Sequence, residues 1–169
     1  AKGILAADMM LKAAEIKLVS ARPSCPGKYQ ILITGEVSSV EAALDAGQAA
    51  SAANVIDRLI LPRIHPQIVE AINLSSAPER LRALGVMEFF SVTAAIMAAD
   101  AAAKAADITL LEIRLGTGIG GKSFVTMTGD VSAVTASVDA GMKSAEDSGM
   151  ILDSVVIAHP DPELYRHLL

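Results

Sequence analysis

At 169 residues, 52% of them hydrophobic and with a mean hydropathy of +0.46, the chain can bury a sizeable core in one domain or two small ones, which excludes a disordered polymer. Fourteen Lys and Arg stand against 19 Asp and Glu, with no basic block and only 3% aromatic residues to stack on bases, so nucleic acid is not the expected partner. Glu88, Asp100 and Lys104 interrupt the most apolar stretches, so no run reaches the roughly 18 apolar residues of a membrane span.

No charged n-region with a short apolar core opens the chain, and one cysteine forms no intrachain disulfide; a cytosolic location is the expectation. High apolarity carried by Ala, Val, Ile and Leu implies close packing against other subunits.

In chain order, the block at 6–18, AADMMLKAAEIKL, predicts a helix with Lys and Asp on one side, feeding a strand at IKLV. A glycine-containing loop and the strand YQILIT follow. Ser38 is the expected start of a helix over VEAALDAGQAASAA, and DRLILP at 57–62 reads as a further strand. LGVMEFF at 84–90 is the next strand, then an Ala-rich helix, the strand ITLLEI, a glycine-rich loop, the strand SFVTMT, a helix starting at Ser132, and the strand DSVVIA. Asp161-Pro162-Glu163 reads as a helix start, an N-cap followed by proline at the first helical position.

These elements are written twice. AADMMLKAAEIKL at 6–18 returns as AADAAAKAADITL at 98–110, with Asp8 matching Asp100 and Lys12 matching Lys104. GKYQILITGEVSSVEAALDAG at 27–47 returns at 121–141, and VIDRLILPRIHPQI at 55–68 matches ILDSVVIAHPDPEL at 151–164. The second copy runs strand, helix, strand, strand, helix, strand, the ferredoxin-like order of an antiparallel sheet with both helices on one face. The expected fold is therefore α+β, two tandem βαββαβ domains over 1–76 and 77–169. The first lacks its leading strand, whose counterpart would precede Ala1. Trimming of the chain at its start is the preferred explanation, because an unfilled sheet position would expose backbone groups.

Residues 116–123, GTGIGGKS, match the P-loop pattern, and Gly116, Gly118 and Gly121 match the dinucleotide pattern. A phosphate cradle needs a strand before the loop and a helix after it. Here FVTMT follows, a strand, and the counterpart loop PSCPGKY lacks the motif. A glycine-rich connection between two strands is the expected reading, with a small nucleotide-binding protein as the weaker alternative.

The doubled order, the Ala-rich Asp–Lys helices, the GDVSAV turn and the LPRIHP tail together resemble the bacterial microcompartment shell proteins, specifically their tandem-domain class. The resemblance covers the chain except for the first strand. It implies a structural protein and not an enzyme: a homotrimer forming a flat pseudohexameric tile, which meets other shell proteins edge to edge around an encapsulated pathway in the cytoplasm. It also implies that the loop between the second and third strands lines a central pore, here Ser24, Pro26, Gly27 and Lys28 in the first copy and Gly116, Thr117, Gly118, Ile119, Gly120 and Gly121 in the second. The tile-edge lysine falls on Lys12 and Lys104, and the tail arginine on Arg63, where the second copy carries His159. A solvated helix face is the plainer reading of either lysine alone.

Cys25 lies in the first of these loops. In a three-fold ring three copies of Cys25 would converge on the axis, and three thiolates can hold three corners of a cubane cluster. Ser-Cys-Pro-Gly-Lys resembles the iron–sulfur-carrying tandem shell proteins of propanediol-utilisation compartments, which makes Cys25 a 4Fe–4S ligand by resemblance, one cluster per trimer. It implies electron transfer across the shell or to an encapsulated redox enzyme. Pro26 and Gly27 are expected to form a tight turn offering N–H groups to cluster sulfurs, and Lys28 reads as a solvated side chain. Without a cluster, the same pore would gate metabolites.

No catalytic constellation competes. His65, His159 and His167 lack metal-site spacing, no second cysteine makes a zinc pair, and there is no G-x-S-x-G elbow. Met87, Met97, Met127 and Met142 fall in apolar patterns and read as core.

Overall fold

A computed structural model of the chain describes residues 1–74 and 82–168. They form two compact units, Ala1–Pro62 and Arg63–Leu169. The expected boundary at 76/77 lies outside the described residues.

In the first unit, α1 (Lys2–Ala13) leads into β1 (Lys17–Ser24), β2 (Lys28–Thr34) and α2 (Val37–Ser51). β1 and β2 pair antiparallel, with a bulge between Leu18 and Ser20. α1 buries Ala6, Ala7 and Met10, and α2 buries Ala43, Gly47 and Ser51. Small residues let the two helices approach closely: a Cβ on Gly47 would stand 2.3 Å from Met10 Cε.

The second unit holds α3 (Gln67–Ile72), β3 (Ala83–Phe89), α4 (Val92–Ala105), β4 (Ile108–Leu115), β5 (Ser123–Gly129), α5 (Val131–Ala145), β6 (Ile151–Ile157) and α6 (Pro162–Leu168). Its sheet has the order β4-β5-β3-β6 with every neighbouring pair antiparallel, the ferredoxin-like arrangement. Leu84, Met87 and Phe89 of β3 are fully buried, as are Leu110, Ile113, Val125 and Met127 of its neighbours. α4 presents Ala94, Ala95, Ala98, Ala99 and Ala102 to this core. α5 sits over it through Gly141, where a Cβ would meet the Ala98 carbonyl oxygen at 2.9 Å. The alanine stripe is thus what lets a helix lie close to a sheet and to a second helix at once. Met97 and Met142 are half-buried, while Met87 and Met127 are core, as their patterns indicate.

Three local expectations need correction. DRLILP forms no strand: residues 55–61 have no regular structure, although the matching β6 does. β6 takes its ladder bonds from β3, whereas residues 55–61 pair with no strand among the described residues. A strand lacking its ladder partner leaves its backbone groups to water. Ser38 and Ser132 do not start their helices; Val37 and Val131 do, with Glu36 and Asp130 at the N-cap. α3 was not anticipated from the sequence. The Asp161 N-cap is formed as expected, its Oδ1 accepting the Glu163 N–H at 2.8 Å.

Candidate functional site

The two loops singled out by sequence are both hairpin tips. β1 and β2 stay in register up to Ser24 opposite Lys28, so the first tip is only Cys25, Pro26 and Gly27. Ser24 and Lys28 therefore belong to the strand ends and not to the loop. The Cys25–Pro26 bond is cis, and Gly27 has φ 92°, a left-handed backbone that glycine adopts without penalty. The Gly27 N–H donates to the Ser24 carbonyl at 3.0 Å. This corrects the expected supply of donors: Pro26 has no N–H and that of Gly27 is already engaged. Beneath the tip, buried Ser24 Oγ accepts a hydrogen bond from Gln30 Nε2 at 2.8 Å. Cys25 itself is half-buried and not in a disulfide.

The second tip is longer. Leu115 and Ser123 are the last ladder pair, leaving residues 116–122 as the loop. Gly116, Gly118, Gly120 and Gly121 all have positive φ, and nothing lies within 4 Å of a Cβ built on Gly118 or Gly120. Backbone conformation, not crowding, demands glycine at those two. The Lys122 N–H closes the turn on the Ile119 carbonyl at 3.3 Å, and Thr117 Oγ1 donates to the Leu115 carbonyl. Antiparallel β5, and not a helix, follows the loop. The P-loop match is a hairpin.

Below this second tip lies a group that the sequence reading missed. Glu112 is 4% exposed and its Oε1 accepts a hydrogen bond from Arg114 Nε at 2.6 Å, with the guanidinium 5.0 Å from the Phe124 ring centre. Charged residues inside the apolar run ITLLEIRL were the available signal.

Lys12 and Lys104 each pair with the aspartate one turn earlier, Asp8 and Asp100. The two pairs differ in cover, since Asp8 is half exposed whereas Asp100 is buried. The cover comes from the α3 segment. Asp100 Oδ1 accepts the His65 N–H at 2.8 Å, while Gln67 caps the open edge of β4 by donating from Nε2 to the Ile108 carbonyl and accepting the Leu110 N–H at 2.8 Å. Arg63, just ahead, is exposed with φ 54°. His159 and His167 are exposed too. Among the described residues no three His, Cys, Asp or Glu gather as a metal site, and no helix is long and apolar enough to cross a membrane.

Two related copies in one chain, the second with the full ferredoxin-like sheet and each with its hairpin tip, define a tandem-domain α+β protein. A family model described as the BMC domain matches residues 1–64 and 83–160. The chain belongs to this family, among the tandem-domain bacterial microcompartment shell proteins. It is 36% identical, over its whole length and 92% of the relative's, to the bacterial microcompartment shell protein PduT of Citrobacter freundii. It is also 38% identical over 87 residues, 51% of this chain and 90% of the relative, to the bacterial microcompartment shell protein PduA of the same organism. A solved microcompartment protein from Desulfitobacterium hafniense superposes with a TM-score of 0.93 at 50% identity, covering 98% of this chain and 92% of the other.

Proposed function

We propose that the chain is a structural tile of a microcompartment shell, in which three copies close into a pseudohexamer whose hairpin tips surround a central pore, and in which three Cys25 thiolates hold a 4Fe–4S cluster. The observation that carries this reading is the place of the sole cysteine, at the apex of the hairpin whose counterpart is the 116–122 glycine loop. The donor chemistry suits a shared cluster and no cluster within one chain. One chain has a single cysteine and its described residues gather no metal-ligand set, whereas three thiolates around a three-fold axis supply three corners and leave the fourth iron to a non-protein ligand.

When bound, such a cluster supplies one-electron transfer. The chain's part is to present the thiolate from a short hairpin kept in place by the Ser24–Gln30 hydrogen bond. Electrons would then pass between lumen and cytosol, or to a redox enzyme inside. Lys12, Lys104 and Arg63 are assigned to tile edges and their contacts with other shell proteins, a role that their exposed positions support. The chain has no catalytic role of its own in this reading.

Iron and sulfide per chain, measured on anaerobically purified protein with electron paramagnetic resonance before and after reduction, test the cluster. About four irons per three chains, lost in Cys25→Ser with the assembly intact, is the expected result. Iron-free wild-type protein overturns it. In that event the open glycine loop 116–122 favours the second reading, a metabolite gate.

A further inference from the structure

The β1–β2 and β4–β5 hairpins share one register, and an arginine stands at the same place in both. Each first strand bulges just past its matched leucine, Leu18 in one copy and Leu110 in the other. Beyond the bulge come Ser20 and Arg22 in the first copy, Glu112 and Arg114 in the second. The second copy neutralises its arginine from within: Arg114 Nε donates to Glu112 Oε1 at 2.6 Å, and the guanidinium lies 5.0 Å from the Phe124 ring centre. A buried carboxylate is tolerated at Glu112 because it is paired in this way.

The first copy keeps the arginine and lacks the acid. Ser20 stands where Glu112 does, and Gln30, opposite Arg22, stands where Phe124 does. Ser20 Oγ is buried without a hydrogen-bond partner among the described residues, and Arg22 is exposed with no ion pair among them. Lys28 adds a second cation. It faces Ser24 across the ladder, which sets it on the same side of the sheet as Ser20 and Arg22 and diagonally across from Arg22, roughly 7–8 Å away along the backbone and within reach of long side chains. Residues 16–35 hold Lys17, Arg22 and Lys28 and no Asp or Glu, in a chain whose net charge is -5. Two cations held on one face repel, and an anion between them relieves that repulsion.

We propose that this face of the β1–β2 hairpin is a carboxylate-binding site, in which a ligand's carboxylate takes the part that Glu112 plays for Arg114. Arg22 donates to it, Lys28 closes on it from the facing strand, and Ser20 Oγ supplies a hydroxyl donor at its base. A carboxylate is the chemistry that fits, because the second copy holds one on the matching arginine in the same register. Charge-assisted bonds of this kind are about twice as strong as neutral ones. The site lies within one hairpin of one chain and needs neither the tile nor the cluster proposed above.

Nuclear magnetic resonance of the Arg22 guanidinium in the full chain, titrated with sodium acetate against sodium chloride at constant ionic strength, tests it, with far-UV circular dichroism as the control for folding. The expected result is a saturable shift of the Arg22 Nε–H that Arg114 does not share. Ser20→Glu, which fills the site from within, is expected to abolish the shift, and Lys28→Gln to weaken binding about tenfold. A triglutamate peptide that binds about tenfold tighter than acetate names an acidic protein segment as the source of the carboxylate, whereas equal affinity names a small free acid. A shift that rises linearly with acetate, or one indifferent to both substitutions in folded protein, overturns the site.

Discussion

The two copies share a sequence plan, and the contrast between residues 55–61 and β6 shows how far a plan reaches. Both segments are short, apolar and flanked alike. β6 lies against β3 and is a strand; residues 55–61 have no such neighbour among the described residues and are irregular. A strand is a property of the pair, since its ladder bonds come from next door. The same lesson holds for the helices: α4 is covered by α3 around Asp100, while the matching part of α1 stands exposed around Asp8.

The comparison can be broken most strongly by supplying a neighbour for residues 55–61. Residues 83–92 fused in register ahead of Ala1 are expected to order 56–61 as a strand, slowing amide hydrogen exchange there by about a hundredfold or more. Unchanged exchange would show that ladder pairing is not what separates the two segments. Next in size, Phe89→Ala empties a fully buried site in β3 and is expected to cost about 3–5 kcal/mol in urea unfolding.

Gly141→Ala and Gly47→Ala sharpen the contrast between the helix pairs. At Gly141 the new methyl meets a backbone carbonyl oxygen, which cannot step aside, so a loss of about 1–3 kcal/mol is expected. At Gly47 its nearest neighbours are Met10 side-chain atoms, and the gain in helix propensity of about 1 kcal/mol offsets part of the clash. Equal losses would refute this account. The aspartate pair ends on the smallest effect. Asp100→Asn is expected to cost about 1–3 kcal/mol by weakening a buried acceptor of both the His65 N–H and Lys104. Asp8→Asn breaks only an exposed i,i+4 pair, a matter of about 0.5 kcal/mol or less in the dissociated chain.

Much of the fold was legible because repetition gave every motif a sibling. The strand LGVMEFF, the alternation in SFVTMT and the two alanine-rich helices stand where their patterns indicate, and the glycine loop proved to be a hairpin because a β-branched run follows it. Helix starts were misplaced by one residue, since the N-cap residues Glu36 and Asp130 make no side-chain capping bond and a serine follows each helix start. α3 escaped notice because its six residues hold too few turns for a periodic signal, and its hold on β4 runs through Gln67, a long-range bond that no local pattern encodes.

By itself the sequence determined the duplication, the ferredoxin-like order and the place of Cys25 at a strand connection, because each depends on local periodicity and on spacing repeated along one chain. Only the tertiary structure decided that DRLILP is no strand, that Ser24 and Lys28 close the ladder beneath a three-residue tip, and that Asp100 is covered while Asp8 is bare. Those outcomes turn on which backbone groups and apolar faces find partners far away in the chain, and hydrogen bonding and burial are settled by neighbours in space.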